Sequence, residues 1–221
     1  MNLIGIDLDG TLEDSRADMA AAVHRVRAGL GLPPRSDEAV LPWVNRGMDA
    51  LYRACFDDYL AGGESRMEAV RKRYETDYLE HVAVETRLYP GISEALERLA
   101  GLGKLAVITN KPELISIRLI EALGVDRHIT AVIGGDTCVK SKPDPVVLEE
   151  AAHRSGMKAI PDKTVMIGDT AGDIRLGRDS GAATVWCGWG YTDEPGEEPD
   201  YIAARPLDLP GLVDQAFKVL K

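Results

Sequence analysis

Leu3-Ile4-Gly5-Ile6-Asp7-Leu8-Asp9-Gly10-Thr11-Leu12 is an apolar run that ends in two carboxylates one residue apart and then a glycine. Leu3, Ile4 and Ile6 suit a short buried strand, and Gly10 supplies the backbone freedom to leave it at once, so both acids fall at the strand's carboxyl end. Open parallel sheets bind ligands at that edge. Two acids this close repel each other unless a cation or a shared proton relieves them, and a divalent metal is the simplest relief. Alone, the fragment also suits an acidic turn, because Asp and Gly are ordinary turn residues.

Outward from this strand the rhythm of the chain changes twice. Over 15–85 apolar residues recur at helical spacing (Met19, Val23, Val26, Leu30, then Leu51, Cys55, Tyr59, and further on Val70, Tyr74, Tyr78) with no convincing strand. Breaks at Gly31-Leu32-Pro33-Pro34 and Gly62-Gly63 divide the stretch into helices, and Pro42 starts another short one. From Tyr89-Pro90-Gly91 onward strands and helices alternate. Helices are predicted over 92–100, 112–123, 145–155 and 173–180, and strands over 105–109, 131–134, 164–167 and 183–186. Such alternation implies right-handed crossovers and a parallel sheet. The fold class is therefore α/β: a Rossmann-like parallel-sheet core from 1–14 and 88–221, with 15–87 inserted after the first strand as an all-helical domain. The stretch 194–200 reads as a solvated acidic loop.

A chain of 221 residues with 45% hydrophobic content has enough apolar material for a core plus an insert. Its net charge of -10 opposes a polyanionic partner, so no nucleic acid is expected, although a local positive pocket for a small anion is compatible with it. Cys55, Cys138 and Cys187 are far apart and lack metal-ligand spacing, which suits buried thiols in a reducing compartment. No segment has the apolar length of a membrane span, and no basic region or cleavage site precedes the first strand. A cytoplasmic protein without a membrane partner, monomeric or homodimeric, is the expectation.

Three later strand ends carry similar chemistry. Ala106-Val107-Ile108 runs into Thr109-Asn110, a hydroxyl and an amide beside a helix start, where exposed N–H groups donate well to phosphate oxygens. Strand ends and N-caps also use these residues without any ligand. In Lys142-Pro143 the proline keeps the lysine out of helical geometry, so its ammonium can neutralise a phosphate or a crowded carboxylate; a surface lysine before a proline turn is the plainer reading, and Lys140 is read as surface. Val165-Met166-Ile167-Gly168-Asp169 ends a strand in an acid, with Asp173 four residues on. Magnesium takes a few carboxylates with carbonyls and waters, and carboxylates from two strands would supply such a site. Asp173 equally suits an N-cap.

Together these stretches resemble the four motifs of the haloacid dehalogenase superfamily, in its phosphatase branch, over nearly the whole chain. Asp7-Leu8-Asp9-Gly10-Thr11-Leu12 is similar to the first motif, Thr109-Asn110 to the second, Lys142-Pro143 to the third, and the segment from Gly168 to Asp173 to the fourth. The helical insertion resembles that family's α-helical cap. Asp14-Ser15, Trp43-Val44-Asn45-Arg46-Gly47, Thr109-Asn110-Lys111-Pro112 and Gly134-Gly135-Asp136 look most like the phosphoglycolate phosphatase branch. Two departures stand out: Glu13, where an apolar residue is expected, and the order Asn45-Arg46-Gly47, where relatives tend to place Gly before Asn.

The resemblance implies a Mg²⁺-dependent phosphomonoester hydrolase acting on a small metabolite, 2-phosphoglycolate first. Other readings are a phosphatase for a nucleoside monophosphate, sugar phosphate or pyrophosphate, a phosphomutase, and a binding protein that has lost catalysis. It implies Asp7 as nucleophile forming an aspartyl-phosphate, and Asp9 as proton carrier. Mg²⁺ would be held by Asp7, the Asp9 carbonyl and Asp169, with Asp173 orienting its waters. Thr109, Lys142 and backbone amides near Gly10, Thr11 and Asn110 would hold the phosphate oxygens. The cap would hinge near Asp14 and Leu88, with Arg46 reading a distal anion of the substrate and Trp43 in its core.

Overall fold

The computed structural model describes residues 1–44, 46–63 and 65–220. The chain divides into two compact units, Met1–Asp14 with Leu88–Lys221, and Ser15–Arg87.

In the first unit, β1 (Leu3–Ile6) is buried along its whole length. Burial on both faces is the signature of a central strand in a parallel sheet, and the unbroken Leu-Ile-Gly-Ile composition follows from it. After β2 (Glu13–Asp14), the later elements of this unit run from β3 (Arg87–Leu88), whose first residue belongs to the insert, through α6 (Ile92–Ala100), β4 (Lys104–Ile108), α7 (Glu113–Ala122), β5 (Ile129–Ile133) and α8 (Val146–Arg154). They continue with β6 (Thr164–Gly168), α9 (Ala171–Asp179), β7 (Ala183–Cys187), β8 (Tyr201–Ala203) and α10 (Leu209–Val219). Six strands pair in the order β5-β4-β1-β6-β7-β8, all parallel. On α6 the buried residues Ile92, Ala95, Leu96 and Leu99 recur at the i, i+3, i+4, i+7 spacing that gives a helix one apolar face. Leu3, Ala106, Ile108, Ile133, Leu148 and Met166 belong to one core cluster.

Pairing register places the chemistry. Ile6 lies opposite Val107 on one side and Ile167 on the other, so the residues just beyond β1, β4 and β6 emerge at the same edge. The Asp7 amide donates to the Ile167 carbonyl (2.9 Å) and the Thr109 amide to the Ile133 carbonyl (2.9 Å), which carries the ladder one step past the strands and fixes both residues there.

The second unit contains α1 (Arg16–Gly29), α2 (Asp37–Val40), α3 (Met48–Cys55), α4 (Asp57–Leu60) and α5 (Ser65–Glu80). Tyr52 packs edge-on against Tyr74 (5.3 Å between centroids), which in turn stacks with Tyr78 (6.0 Å). Arg27, buried, forms a forked pair with Asp58 (3.0 and 2.7 Å) and donates to the Pro33 carbonyl, tying α1 to α4 and to the connection that follows α1. Asp18, also buried, accepts from the Glu85 and Thr86 amides and the Thr86 hydroxyl, so the segment that ends the insert is fastened to the helix that begins it.

Several expectations change in detail. The helix expected from Pro42 is a single 3₁₀ turn, Leu41–Trp43, and contributes no buried residue. Trp43, expected in the core, is half-buried under the Arg46 guanidinium, 5.2 Å above its ring. Cys55 and Cys187 are buried thiols, whereas Cys138 is partly exposed. Two acids of the loop at 194–200 are tied down: Glu197 pairs with Arg175 (2.7 Å) and Arg178 (2.9 Å), and Asp200 accepts from the Thr184 amide (2.8 Å) and hydroxyl (2.9 Å). β8 and α10 lie beyond the predicted set. Asn45 lies outside the described residues. Among those described, no helix is long and apolar enough to cross a membrane.

Candidate active site

Asp7 leaves β1 buried, and its carboxylate meets the Lys142 ammonium at 2.7 Å. The same ammonium reaches Asp173 at 2.6 Å, with the three side chains at most 8% exposed. Asp169 follows β6 directly and is fully buried. Asp7, Asp169 and Asp173 each offer a carboxylate oxygen, and these oxygens lie within 4.8 Å of one another. The two acids of the fourth motif thus converge with the first acid of the first motif, as the register requires.

Asp173 is not the N-cap expected of it: Thr170 caps α9, and Asp173 is the third helical residue, reaching back to Thr170 in a capping box while also facing the acidic cluster. One oxygen accepts from the Thr170 amide (3.1 Å) and hydroxyl (2.6 Å) at the start of α9, and the other takes Lys142. No Cβ fits at Gly168, where it would collide with this carboxyl group, so the glycine before Asp169 makes room for Asp173.

Electrostatics sets the demand of the site. Burial first, and then the neighbouring Asp173, push the Asp169 carboxyl up to about 7, while Asp7 is held well above the ordinary carboxylate range by burial and by Asp173, against the pull of Lys142. Burial pulls Lys142 down, but Asp173 and Asp7 outweigh it and raise its ammonium above the usual lysine range. Three carboxylates against one ammonium leave two negative charges when all are ionised. Buried charge of that size must be paired, and an all-oxygen set with two charges in excess fits a hard divalent cation.

Asp9 takes a different partner. Its carboxylate pairs with Lys111, whose side chain is only 3% exposed and whose ammonium is also 4.0 Å from Glu13. Thr109 is buried, and its hydroxyl oxygen accepts from the Lys111 amide (3.1 Å), leaving the hydroxyl proton to donate elsewhere.

The expected phosphate donors in the first motif are already committed. The Gly10 amide donates to the Glu13 carbonyl (2.9 Å) and the Thr11 amide to the Leu8 carbonyl (3.3 Å); the Thr11 hydroxyl donates to Asp169 (3.3 Å) in a fully buried position. Both residues shape the site instead of offering donors to a ligand. Gly10 has φ of 78° and a Cβ there would strike the Asp169 carboxylate, so the sharp exit from β1 and the close approach of Asp169 are one requirement. Asn110 is exposed beside the start of α7, and Arg46 belongs to the inserted unit.

Two groups of residues escape the motif reading. Lys111 is one; its only sequence signal is a place in Thr109-Asn110-Lys111-Pro112. The other is the turn after β7. Trp186 Nε1 donates to the Asp169 carbonyl (2.9 Å), the Tyr191 amide to its carboxylate (2.7 Å), the Thr192 hydroxyl to its carbonyl, and Trp189 Nε1 to the Thr11 carbonyl (3.1 Å). Each of the four contacts has a backbone atom on one side, three of them a carbonyl of Asp169 or Thr11, so no pair of side chains marks them in the sequence. Gly190 lies against Asp169 so closely that a Cβ would collide with it.

Residues 4–187 match the sequence profile of the haloacid dehalogenase-like hydrolases. The chain belongs to that family. It is 35% identical over 215 residues to a phosphoglycolate phosphatase of Aquifex aeolicus, covering 97% of each chain. It is also 34% identical over 217 residues to an N-acetylmuramic acid 6-phosphate phosphatase of Pseudomonas aeruginosa, covering 96% of this chain and 94% of that one. A crystal structure described as a predicted phosphoglycolate phosphatase from Haemophilus somnus superposes with a TM-score of 0.83 at 29% identity, covering 96% of this chain and 97% of the other. The chain is therefore an enzyme of the hydrolase class, and its buried acidic cluster has the composition of a divalent-metal site.

Gly190→Ala is expected to displace the Asp169 carboxylate and weaken divalent-metal binding about 10-fold or more, the scale typical of losing the groups that orient a ligand. Trp186 and Trp189, bonded to Asp169 and Thr11, make intrinsic fluorescence the readout of a metal titration. Unchanged affinity would remove the turn from the metal site.

Proposed function

We propose that the chain is a Mg²⁺-dependent phosphomonoesterase for small metabolites, with 2-phosphoglycolate as its first substrate, working through an aspartyl-phosphate on Asp7. The observation that carries this reading is the convergence of Asp7, Asp169 and Asp173 around Lys142, with Asp9 two residues further on and bound to a separate lysine. Relatives named for hydrolysis of phosphate monoesters support it.

In this reading a carboxylate oxygen of Asp7 attacks phosphorus in line, and the bond from phosphorus to the ester oxygen breaks. Asp9 gives its proton to the departing alkoxide, which leaves as the alcohol. It then takes a proton from the water that attacks the acyl phosphate, so inorganic phosphate leaves and both acids return to their starting states. Lys142 holds the Asp7 carboxylate in position and adds positive charge where the transferring group's oxygens gather, and Thr109 aims its hydroxyl proton at one of those oxygens. Mg²⁺ held by Asp7, the Asp9 carbonyl and Asp169, with Asp173 placing its waters, would supply charge neutralisation between nucleophile and phosphate. The insert at 15–87 acts as a helical cap hinged near Asp14 and Leu88, and Arg46 reads a distal anionic group of the substrate.

The relative that acts on N-acetylmuramic acid 6-phosphate favours a second reading, a sugar phosphate as substrate of the same chemistry. Phosphate release from a panel containing 2-phosphoglycolate, hexose and amino-sugar 6-phosphates, nucleoside monophosphates and pyrophosphate, with and without Mg²⁺, separates the two. The first reading expects the highest kcat/KM for 2-phosphoglycolate. Preference for a sugar phosphate would replace it, and no release from any ester would overturn phosphatase chemistry itself.

A further inference from the structure

Glu13 stands where the resemblance leads us to expect an apolar residue, and its side chain is completely buried. The tight turn after Asp9 puts it there: Leu8 accepts the Leu12 and Glu13 amides (2.9 and 3.3 Å), and the Glu13 carbonyl accepts the Gly10 amide. The backbone of Glu13 is thereby fixed in relation to Asp9. The Lys111 ammonium faces both acids, paired with Asp9 and 4.0 Å from Glu13. Lys111 is fixed at its other end as well, through its amide bond to Thr109.

A lysine side chain has many rotamers and a mobile, strongly charged head. When an anionic ester reaches Asp7, an ammonium paired with Asp9 alone would be drawn toward the phosphate and would take Asp9 with it or release it. A second carboxylate, buried and held by the backbone, opposes that movement. We propose that Glu13 is a positioning residue for the proton-transfer step: it anchors Lys111, and Lys111 holds the Asp9 carboxyl where the leaving group departs. The inference rests on the reading of Asp9 as proton carrier and adds to it two residues, Glu13 and Lys111, that lie outside the cluster of Asp7, Asp169 and Asp173.

Leaving-group chemistry tests this directly. An alkyl phosphate such as 2-phosphoglycolate needs a proton as its alkoxide departs, whereas p-nitrophenyl phosphate releases a stable phenolate without one. The value of kcat/KM reports only the steps up to departure of the leaving group, before the phosphoenzyme that both esters share. Glu13→Leu is expected to lower kcat/KM for 2-phosphoglycolate about 10-fold or more, within the range a positioned general acid contributes, and to change it by less than about 3-fold for p-nitrophenyl phosphate. Lys111→Met should give the same selective loss, and the double variant should be no worse than Lys111→Met alone, because the two act as one unit. Glu13→Gln, of nearly equal volume, carries the same comparison if the leucine variant does not fold, with thermal unfolding as the check. Equal losses on both esters, or no loss on either, would overturn the proposal. A native chain that cleaves neither ester would instead overturn the phosphatase reading, and the inference with it.

Discussion

Asp7→Asn is expected to lower turnover of every phosphate ester the native chain cleaves by about 10³-fold or more, while leaving the protein folded. An amide of the same size occupies the place of the carboxylate but has no anionic oxygen to form an acyl phosphate. The fold should tolerate it, because Lys142 keeps Asp173 as a partner and one of three crowded acids is gone. Burial and the neighbouring Asp173 already push the Asp7 carboxyl upward, so the metal-free variant should unfold at the same temperature as the native chain or higher. Steady-state phosphate release paired with thermal unfolding checks both halves. Retained turnover would mean that another group attacks phosphorus; lost turnover with a collapsed fold would mean that Asp7 is structural.

The site was readable where one side chain at one strand end carries the chemistry. Asp7 and Asp169 each follow an apolar run, and parallel pairing of β1 with β6 then brings them together without further information; Lys142 precedes a proline in the loop between β5 and α8, and only the path of that loop brings its ammonium to Asp7. Asp173 is ambiguous in sequence because a first-turn acid can close a capping box or face a cluster; here one oxygen goes to the N-cap Thr170 and the other to Lys142. The amides of Gly10 and Thr11 look available in sequence, as an N–H after a strand does, and only the turn geometry reveals that the Glu13 and Leu8 carbonyls accept them. The turn after β7 left almost no trace, since it holds Asp169 through the Tyr191 amide and through the Asp169 carbonyl. In the core, β8 is three residues long with Ile202 exposed, too short for a period-2 pattern to emerge. Trp43 fell outside the core because an arginine three residues on covers its ring, a contact that apolar spacing does not encode.

The largest effect on stability should come from the metal, and its sign follows from the acids. Asp169, raised from 3.8 to about 7, and Asp7, also raised, bind more protons in the folded chain than in the unfolded one between the ordinary carboxylate value and the folded value. The stability these groups contribute to the metal-free chain should therefore be full below about pH 4, fall as pH rises from there to about 7, and level off above it. Mg²⁺ needs the same oxygens deprotonated, so it competes with protons below pH 7 and meets little competition above it. At pH 8, Mg²⁺ at about 100 times its Kd should add about 2.7 kcal/mol. For a chain of this length that corresponds to about 5–10 °C in Tm. At pH 5 the same concentration should add far less, because the acids are neutralised by protons. Asp169→Asn should flatten both curves, since it removes a titrating group and a metal oxygen together. A metal-induced shift in Tm equal at pH 5 and pH 8 would show that the ion binds outside this cluster, and the two uncompensated charges of the buried acids would then require another counter-ion.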